Sequence, residues 1–294
     1  MASLRQIRQR MKSIHNIHEI TKAMGMIASF RFKRSENRFS KAKNYFVEME
    51  KLVANLSAAA GEKLEDALFE KRKIKNKALV VMTGDKGLCG AYNANLLKAA
   101  SQWLKANEAF HPRIIPVAKV AHDFYRKKHV PTLLGYPEKA MVDLTLAKKV
   151  TEELKDAFIS GQVDSVEILY AAYRPGTAGR NSLIPFLSLR YLLDGPALSK
   201  SENSLRKGGV DYIYEPDFET VFVSILSRYL EGKVYMTLLE SLTSESSARM
   251  LAMKQATDNA EEVLDNLKLL RNKTRQATIT RELSEIVSGA SILI

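Results

Sequence analysis

The stretch TGDKGLCGAYN at residues 83–93 is where residue types and spacing most suggest chemistry. It follows an apolar run and opens a helical pattern, which is the setting of glycine-rich phosphate loops. Its glycines stand at 84, 87 and 90, and this matches neither the G-x-x-x-x-G-K-[ST] nor the G-x-G-x-x-G spacing. A lysine followed by a magnesium-binding hydroxyl is also missing. We interpret the stretch as a tight turn from strand to helix that needs glycine conformations, and the sequence predicts no cofactor.

Two histidines and one cysteine are the other candidates for chemistry. His15 and His18 lie three residues apart on a predicted helix, a spacing that could share a metal ion. The nearby sequence offers no Cys or Glu pair to complete a site, so we expect surface histidines and no metal. Cys89 has no metal-ligand partner in the sequence and is expected to be a buried or half-buried thiol. With no nucleophile elbow or carboxylate pair evident, the sequence predicts no catalytic residue.

The distribution of proline indicates which elements carry these residues. All eight prolines lie between Pro112 and Pro216, and a proline inside a helix costs about 3 kcal/mol. We therefore expect a long helix at each end of the chain. Ser3 is a candidate N-cap for the first helix and Gly61 a candidate stop, while Asp217 or Thr220 could begin the last.

Apolar residues at steps of three or four support both helices. In the first, the predicted stripe is Ile7, Met11, Ile14, Ile17, Ile20, Met24 and Ile27. In the last, it is Tyr229, Val234, Leu238, Leu242, Met253, Ala256, Ala260, Val263, Leu267 and Leu270. Two such helices from opposite ends of one chain would most simply pair as an antiparallel coiled coil.

The middle of the chain alternates between short apolar runs and helical stretches. Strands are predicted at 77–83, 113–119 and 165–173, a further extended stretch at 182–193, and a polar loop at 196–209. Helices are predicted at 93–106 and 146–159. This alternation favours a Rossmann-like α/β domain with a largely parallel sheet. The predicted domains are 1–60 and 217–294 for the coiled coil and 61–216 for the inserted α/β domain.

The net positive charge of the chain is compatible with several classes of partner. The net charge is +12, and residues 1–60 carry 12 Lys or Arg against 4 Asp or Glu. Such a basic arm suits simple solvation, a nucleic-acid or anionic lipid surface, or an acidic protein partner. Against nucleic acid, no recognisable nucleic-acid module is present. Apolar runs are far shorter than the roughly 20 residues of a membrane span, no signal-peptide pattern opens the sequence, and the single cysteine fits a reducing compartment.

Five segments resemble the gamma subunit family of bacterial F-type ATP synthases. They are ITKAMGMIAS (20–29), GDKGLCGAYN (84–93), DYIYEPD (211–217), ARMLAMKQATDNAEE (248–262) and NKTRQATITRELSEIVSGA (272–290). They stand in the family's order over essentially the whole chain. Gly25 departs from the pattern, because the family usually has a long side chain there.

The resemblance implies a central-stalk rotor without catalytic activity. It implies as partners a ring of alpha and beta subunits, an epsilon subunit and a membrane c-ring, with no nucleic acid. Through them the subunit would couple proton flow to the beta catalytic sites. The chloroplast branch's cysteine-bearing insertion and a transit peptide are missing, which favours a bacterial protein without thiol control. For such a protein the resemblance implies a peripheral location on the cytoplasmic side of the inner membrane.

The resemblance also implies roles for individual residues. The positions that match the family's contacts with beta subunits are Lys22, Met24, Arg249, Arg275, Gln276 and Thr280. The apolar tip, Ile292, Leu293 and Ile294, matches the end that a hydrophobic bearing encloses. Two other functions remain to be tested from the residues themselves: a nucleic-acid-binding coiled coil that uses the basic arm at 1–43, and a nucleotide-dependent enzyme centred on residues 84–90.

Overall fold

The computed structural model describes residues 3–60, 67–70, 72–137, 142–175, 179–189, 215 and 217–292. Long helices lie at both ends, α1 (Leu4–Ala60) and α5 (Phe218–Ile292). Between them lie β1 (Lys77–Met82), α2 (Tyr92–Ala106), β2 (Arg113–Val117), α3 (Lys119–Lys127), α4 (Leu144–Ile159), β3 (Ser165–Ala172) and β4 (Arg180–Leu187). Single 3-10 turns occur at Ala67–Phe69 and Glu108–Phe110. The predicted stop at residue 61 and the polar loop at 196–209 lie outside the described residues, as do 190–193.

Contacts divide the chain into two compact units. We call Met1–Ser29 with Arg249–Ile294 the helix-pair unit, and Phe30–Ala248 the sheet unit. Part of α1 and part of α5 belong to each. Among the described residues, no helix has an apolar stretch long enough for a membrane span.

Each long helix begins at a residue that caps it. The Gln6 N–H donates to Ser3 Oγ (3.2 Å) and the Ser3 N–H donates to Gln6 Oε1 (2.9 Å), which is a capping box. Asp217 Oδ1 accepts from the Thr220 N–H at 2.9 Å, and hydrogen bonds from Thr220 hold the pKa of Asp217 below its ordinary value. The N-cap predicted at Ser3 is confirmed, and of the two candidates for the last helix, Asp217 is the cap.

The sheet has the strand order β2-β1-β3-β4. β1 pairs in parallel with β2 and β3, whereas β4 pairs with β3 antiparallel. A largely parallel sheet is therefore confirmed, with one antiparallel edge. The prolines within strands, Pro116 and Pro185, lie in the two edge strands, where a missing N–H interrupts the fewest ladder bonds. The sequence prediction missed α3, whose nine residues directly follow β2.

The three parallel strands are mostly buried on both faces, as a parallel sheet requires, whereas most of β4 is exposed or half-buried. Ala78, Val80 and Met82 of β1 join a core that includes α4 and the α5 residues from Phe222 to Leu239. Leu79 and Val81 join a second core against α2 and α3. Because successive strand residues point to opposite faces, the continuous apolar run of β1 supplies both cores.

Within the sheet unit, α1 contacts α5 through aromatic rings and the loops of the sheet through hydrogen bonds. Phe46 stacks on Tyr229 with ring centroids 5.7 Å apart. The Tyr173 hydroxyl donates to Glu36 Oε1 at 2.8 Å, and Arg38 donates to the Val142 carbonyl at 2.6 Å. The side chains of α1 are thus tied to α5 and to the loops of the sheet.

Candidate partner-binding surface

All six residues predicted to contact a partner lie in the helix-pair unit. Its register is fixed at two points. The Thr257 hydroxyl donates to Thr21 Oγ1 at 2.9 Å, and a Cβ placed on Gly25 would lie 3.6 Å from Met253 Cβ. Because residue numbers rise on one helix as they fall on the other, the helices are antiparallel. The predicted antiparallel pairing is confirmed.

The inward positions follow a strict heptad pattern. On α1 they are Ile7, Met11, Ile14, His18, Thr21, Gly25 and Ala28, all buried or half-buried. On α5 they are Met253, Thr257, Ala260, Leu264, Leu267, Arg271 and Thr274. Steps of four and three alternate throughout, which is the 3.5-residue repeat of a left-handed coiled coil.

Part of each predicted stripe is wrong, because it drifts from this repeat. Ile17, Ile20 and Ile27 are 48%, 59% and 57% exposed. After Ile14 the predicted stripe takes two steps of three residues in succession, to Ile17 and then to Ile20. Each step of three residues turns the side chain by about 60° around the helix axis. On α5, Val263 and Leu270 are likewise exposed, next to the inward positions 264 and 271.

The six predicted contact residues lie at two separate levels of the unit. Lys22 is exposed and Met24 is half-buried. The Thr21–Thr257 register places both near the level of residue 256 on α5. Arg249 is half-buried and lies at least one helical turn from that level. Arg275, Gln276 and Thr280 are all exposed. These three lie about 30 Å further along α5, at 1.5 Å per residue. The predicted residues therefore form two patches.

The second patch lies where α5 extends beyond α1. The Thr21–Thr257 register places the first residue of α1 near residue 274 of α5, and every residue from 279 to 288 is exposed. Ile279, Leu283 and Ile286 are 47%, 57% and 67% exposed. Their spacing puts them on one face of the helix, so this segment carries an apolar stripe that α1 does not cover.

Sequence reasoning missed this stripe. A usable signal was present, because apolar residues continue at helical spacing past the point at which α1 can pair with them. For the predicted tip, α5 continues to Ile292, while Leu293, Ile294 and the Ile292 side chain lie outside what the structure describes. The location of the tip therefore stays a prediction.

The turn at 83–93 is built against a helix. A Cβ on Gly84 would lie 2.7 Å from the Glu245 carboxyl group of α5, and Gly90 has a φ of 59°. The predicted tight turn between strand and helix is confirmed, since β1 ends at Met82 and α2 begins at Tyr92. A carboxyl group this close to the backbone of the turn is unfavourable for a bound phosphate. Cys89 is buried, as predicted, with its Sγ 3.2 Å from Asn93 Nδ2.

The two histidines of α1 have a carboxylate beside them. His18 Nδ1 lies 3.1 Å from Glu19 Oε1, and ligand atoms of His15, His18 and Glu19 all lie within 4.8 Å of one another. The sequence prediction required a pair of Glu or Cys residues to complete a site, and Glu19 next to His18 is a single carboxylate.

Comparison with known proteins identifies the family. The family model described as ATP synthase matches residues 3–293. The gamma chain of the ATP synthase of Chloroherpeton thalassium is 33% identical over 100% of this chain and 99% of its own length. That of Cupriavidus metallidurans is 36% identical over 99% of each chain. This chain belongs to the ATP synthase gamma chain family.

The fold agrees with that of chains from solved ATP synthases at low sequence identity. A chain of the Euglena gracilis mitochondrial ATP synthase, solved as OSCP/F1/c-ring in rotational state 3, has a TM-score of 0.64 at 18% identity, covering 99% of this chain and 94% of its own. A chain of the Tetrahymena thermophila central stalk and c-ring has a TM-score of 0.58 at 21% identity, covering 81% of this chain and 99% of its own.

Proposed function

We propose that this gamma chain is the central-stalk rotor of an F-type ATP synthase and has no catalytic site of its own. It would couple proton flow through the membrane sector to conformational change at the beta catalytic sites. The observation that carries the proposal is the exposed apolar stripe on α5 at 279–288. A helix that extends past its partner with an uncovered apolar face requires a surrounding surface to bury it, and a ring of alpha and beta subunits would provide one.

The two patches of the helix-pair unit are the proposed contacts with beta subunits. Lys22, Met24 and Arg249 would form one contact and Arg275, Gln276 and Thr280 the other. Arg and Gln offer hydrogen-bond donors suited to carboxylates on the partner. The tip residues, Ile292, Leu293 and Ile294, would enter an apolar bearing. The epsilon subunit and the c-ring are the remaining proposed partners, which would place the chain peripherally on the cytoplasmic side of a bacterial inner membrane.

Single-molecule rotation tests the rotor role directly. Cys89 is the only cysteine and is 2% exposed, so a cysteine introduced at exposed Glu108 in the sheet unit would be the reactive one. A bead attached at Glu108→Cys should rotate when a surface-anchored complex with alpha and beta subunits hydrolyses ATP. Hydrolysis by the labelled complex with a stationary bead would refute the rotor role.

The second patch is tested by Arg275→Ala and Gln276→Ala. Each should weaken the coupling of ATP hydrolysis to rotation while leaving the circular dichroism of the isolated chain unchanged. Lys268→Ala is the matched control, because it removes an exposed positive charge from the same helix, one that pairs with Asp265 at 2.7 Å. Wild-type coupling and assembly in both variants would remove this patch from the proposal.

A further inference from the structure

We propose that His15, His18 and Glu19 bind one transition-metal ion of the Zn²⁺ class. The site is independent of the rotor role and stands on the geometry of α1. On a helix, residues three and four apart lie next to each other on the surface, so His15 has both His18 and Glu19 as neighbours. The ligand atoms of the three residues lie within 4.8 Å of one another.

The donor set selects the class of ion. Two imidazole nitrogens and one carboxylate oxygen suit Zn²⁺ and its first-row neighbours, whereas Mg²⁺ and Ca²⁺ prefer oxygen ligands throughout. Zinc takes nitrogen and oxygen ligands at about 2.0–2.2 Å. The 3.1 Å separation between His18 Nδ1 and Glu19 Oε1 already allows one ion to contact both atoms.

One ligand is held in place and the other two are free to adjust. His18 occupies an inward heptad position and its side chain is 18% exposed, whereas that of Glu19 is 58% exposed. The backbone at His18 is also held, because its carbonyl accepts from the Thr21 hydroxyl at 3.0 Å. His15 is exposed, so closing the remaining distance takes only rotation of surface side chains.

The facing stretch of α5 leaves room for the His18 ring and carries carboxylates, while Lys12 and Lys22 on α1 lie within four residues of the ligands. The Thr21–Thr257 register puts Ala260, a small residue that is 7% exposed, at the level of His18. Asp258, Glu261 and Glu262 on the same stretch of α5 are exposed, so their carboxylates add negative potential at this level. Three protein ligands leave a fourth position for water or for a donor from another molecule.

Calorimetric titration of the full chain with Zn²⁺, in the presence of excess Mg²⁺, tests the site. We expect one ion per chain, with binding weakened at least about tenfold in His15→Ala and in Glu19→Gln. Both residues are exposed, so the variants should fold, and circular dichroism checks this. Asn16→Ala, on the same turn of the helix, should bind as the wild type does.

A second histidine–carboxylate pair provides the other control. His122 Nδ1 lies 3.9 Å from Asp123 Oδ1, and His122→Ala should leave the stoichiometry and affinity unchanged. The visible spectrum of bound Co²⁺ should be lost in His15→Ala and kept in His122→Ala. Binding of wild-type strength in a His15→Ala/Glu19→Gln double variant, or no Zn²⁺ binding by the wild type, would overturn the proposal.

Discussion

The hydroxyl groups of Thr21 and Thr257 meet at 2.9 Å between α1 and α5 and fix the register of the helix pair. The Thr21 hydroxyl in turn donates to the His18 carbonyl at 3.0 Å. Both threonines occupy inward heptad positions that leucine or isoleucine usually fills in a coiled coil. A polar pair at such positions favours one register over shifted alternatives, at some cost in stability. This hydrogen bond therefore serves the alignment of the gamma chain helices.

Removing both of these hydroxyls should destabilise the helix pair by less than the sum of the effects of removing each one alone. Valine has nearly the shape of threonine, so Thr257→Val deletes the hydrogen bond with little change in packing. We expect Thr257→Val to cost about 1 kcal/mol. The Thr21→Val/Thr257→Val double variant should cost less than the sum of the single variants, because two apolar groups then face each other. Urea denaturation followed by helical circular dichroism measures all three.

Thr278→Val is the matched control for this cycle. The Thr278 hydroxyl donates to the Thr274 carbonyl at 2.9 Å, and the Thr257 hydroxyl can donate in the same way to the Met253 carbonyl at 2.8 Å. Residue 278, however, lies past the end of α1, so none of that helix's described residues offers it a partner hydroxyl. Additive effects of Thr21→Val and Thr257→Val would show that the two hydroxyls are not coupled.

Gly25→Ala should stabilise the helix pair. Glycine in a helix interior costs about 1 kcal/mol relative to alanine, and the new Cβ would meet Met253 Cβ at an ordinary contact distance of 3.6 Å. Gly232 also lies in the interior of a long helix, so Gly232→Ala is the variant to compare with Gly25→Ala. A Cβ there would lie 3.3 Å from the ring of Phe46, which stacks on Tyr229.

Thermal melting should separate the two glycines. Gly25→Ala should raise the midpoint, and Gly232→Ala should raise it less or lower it, because the Phe46 ring must move. A lower midpoint for Gly25→Ala would contradict the prediction that alanine fits at this position.

The prediction from sequence succeeded where a local rule decides the structure. Ser3 and Asp217 cap the long helices because their side chains reach the first free N–H groups, and such a rule can be read within four residues. The apolar run of β1 predicted a buried strand for the same reason. The domain limits at 60 and 217 remain predictions, and so do the contacts proposed for Arg275 and its neighbours.

It was wrong for apolar residues of α1 that α5 does not cover. Ile14 faces α5, whereas Ile17 and Ile20 are exposed, yet all three are isoleucine at helical spacing. The apolar character of a residue predicts that it will be buried. It does not predict whether α5 or another subunit covers it. The heptad repeat, which includes His18 and Thr21, could be found only once the partner helix was in place.

Gly179→Ala should be among the most destabilising substitutions in the sheet unit. Gly179 has a φ of 75°, and a Cβ there would lie 2.1 Å from Ser244 Oγ and 3.0 Å from the Ala172 carbonyl oxygen. Left-handed backbone costs a residue with a Cβ about 1–2 kcal/mol, and overpacking adds about 1–3 kcal/mol. Chemical denaturation should therefore show a loss of at least about 2 kcal/mol.

Gly161 separates these two contributions. Its φ is 74°, and a Cβ there would meet no atom within 4 Å, so Gly161→Ala should lose only the backbone part. Equal losses in the two variants would show that the contact of residue 179 with Ser244 is unimportant for stability.

Lys233 should make the stability of the sheet unit depend on alkaline pH. The residue is 8% exposed, and its ammonium group lies 5.7 Å from the centre of the Tyr229 ring. Burial lowers the pKa of Lys233 from 10.5 to about 8, and the charge of Glu50 offsets part of that shift. Between these two values the unfolded chain binds the proton and the folded chain does not. The free energy of unfolding must therefore rise with pH across this window.

Replacing Lys233 with methionine removes this dependence and keeps most of the aliphatic stem. At neutral pH the folded protein bears the cost of a buried ammonium group, so Lys233→Met should be more stable than the wild type by up to about 3 kcal/mol. The difference should shrink as the pH rises through 8 towards 10.5. Urea denaturation over this range measures it, with Lys254→Met, which removes an exposed lysine from the same helix, as the control. A difference between Lys233→Met and the wild type that stays constant from pH 7 to 10.5 would show that Lys233 keeps its ordinary pKa in the folded chain.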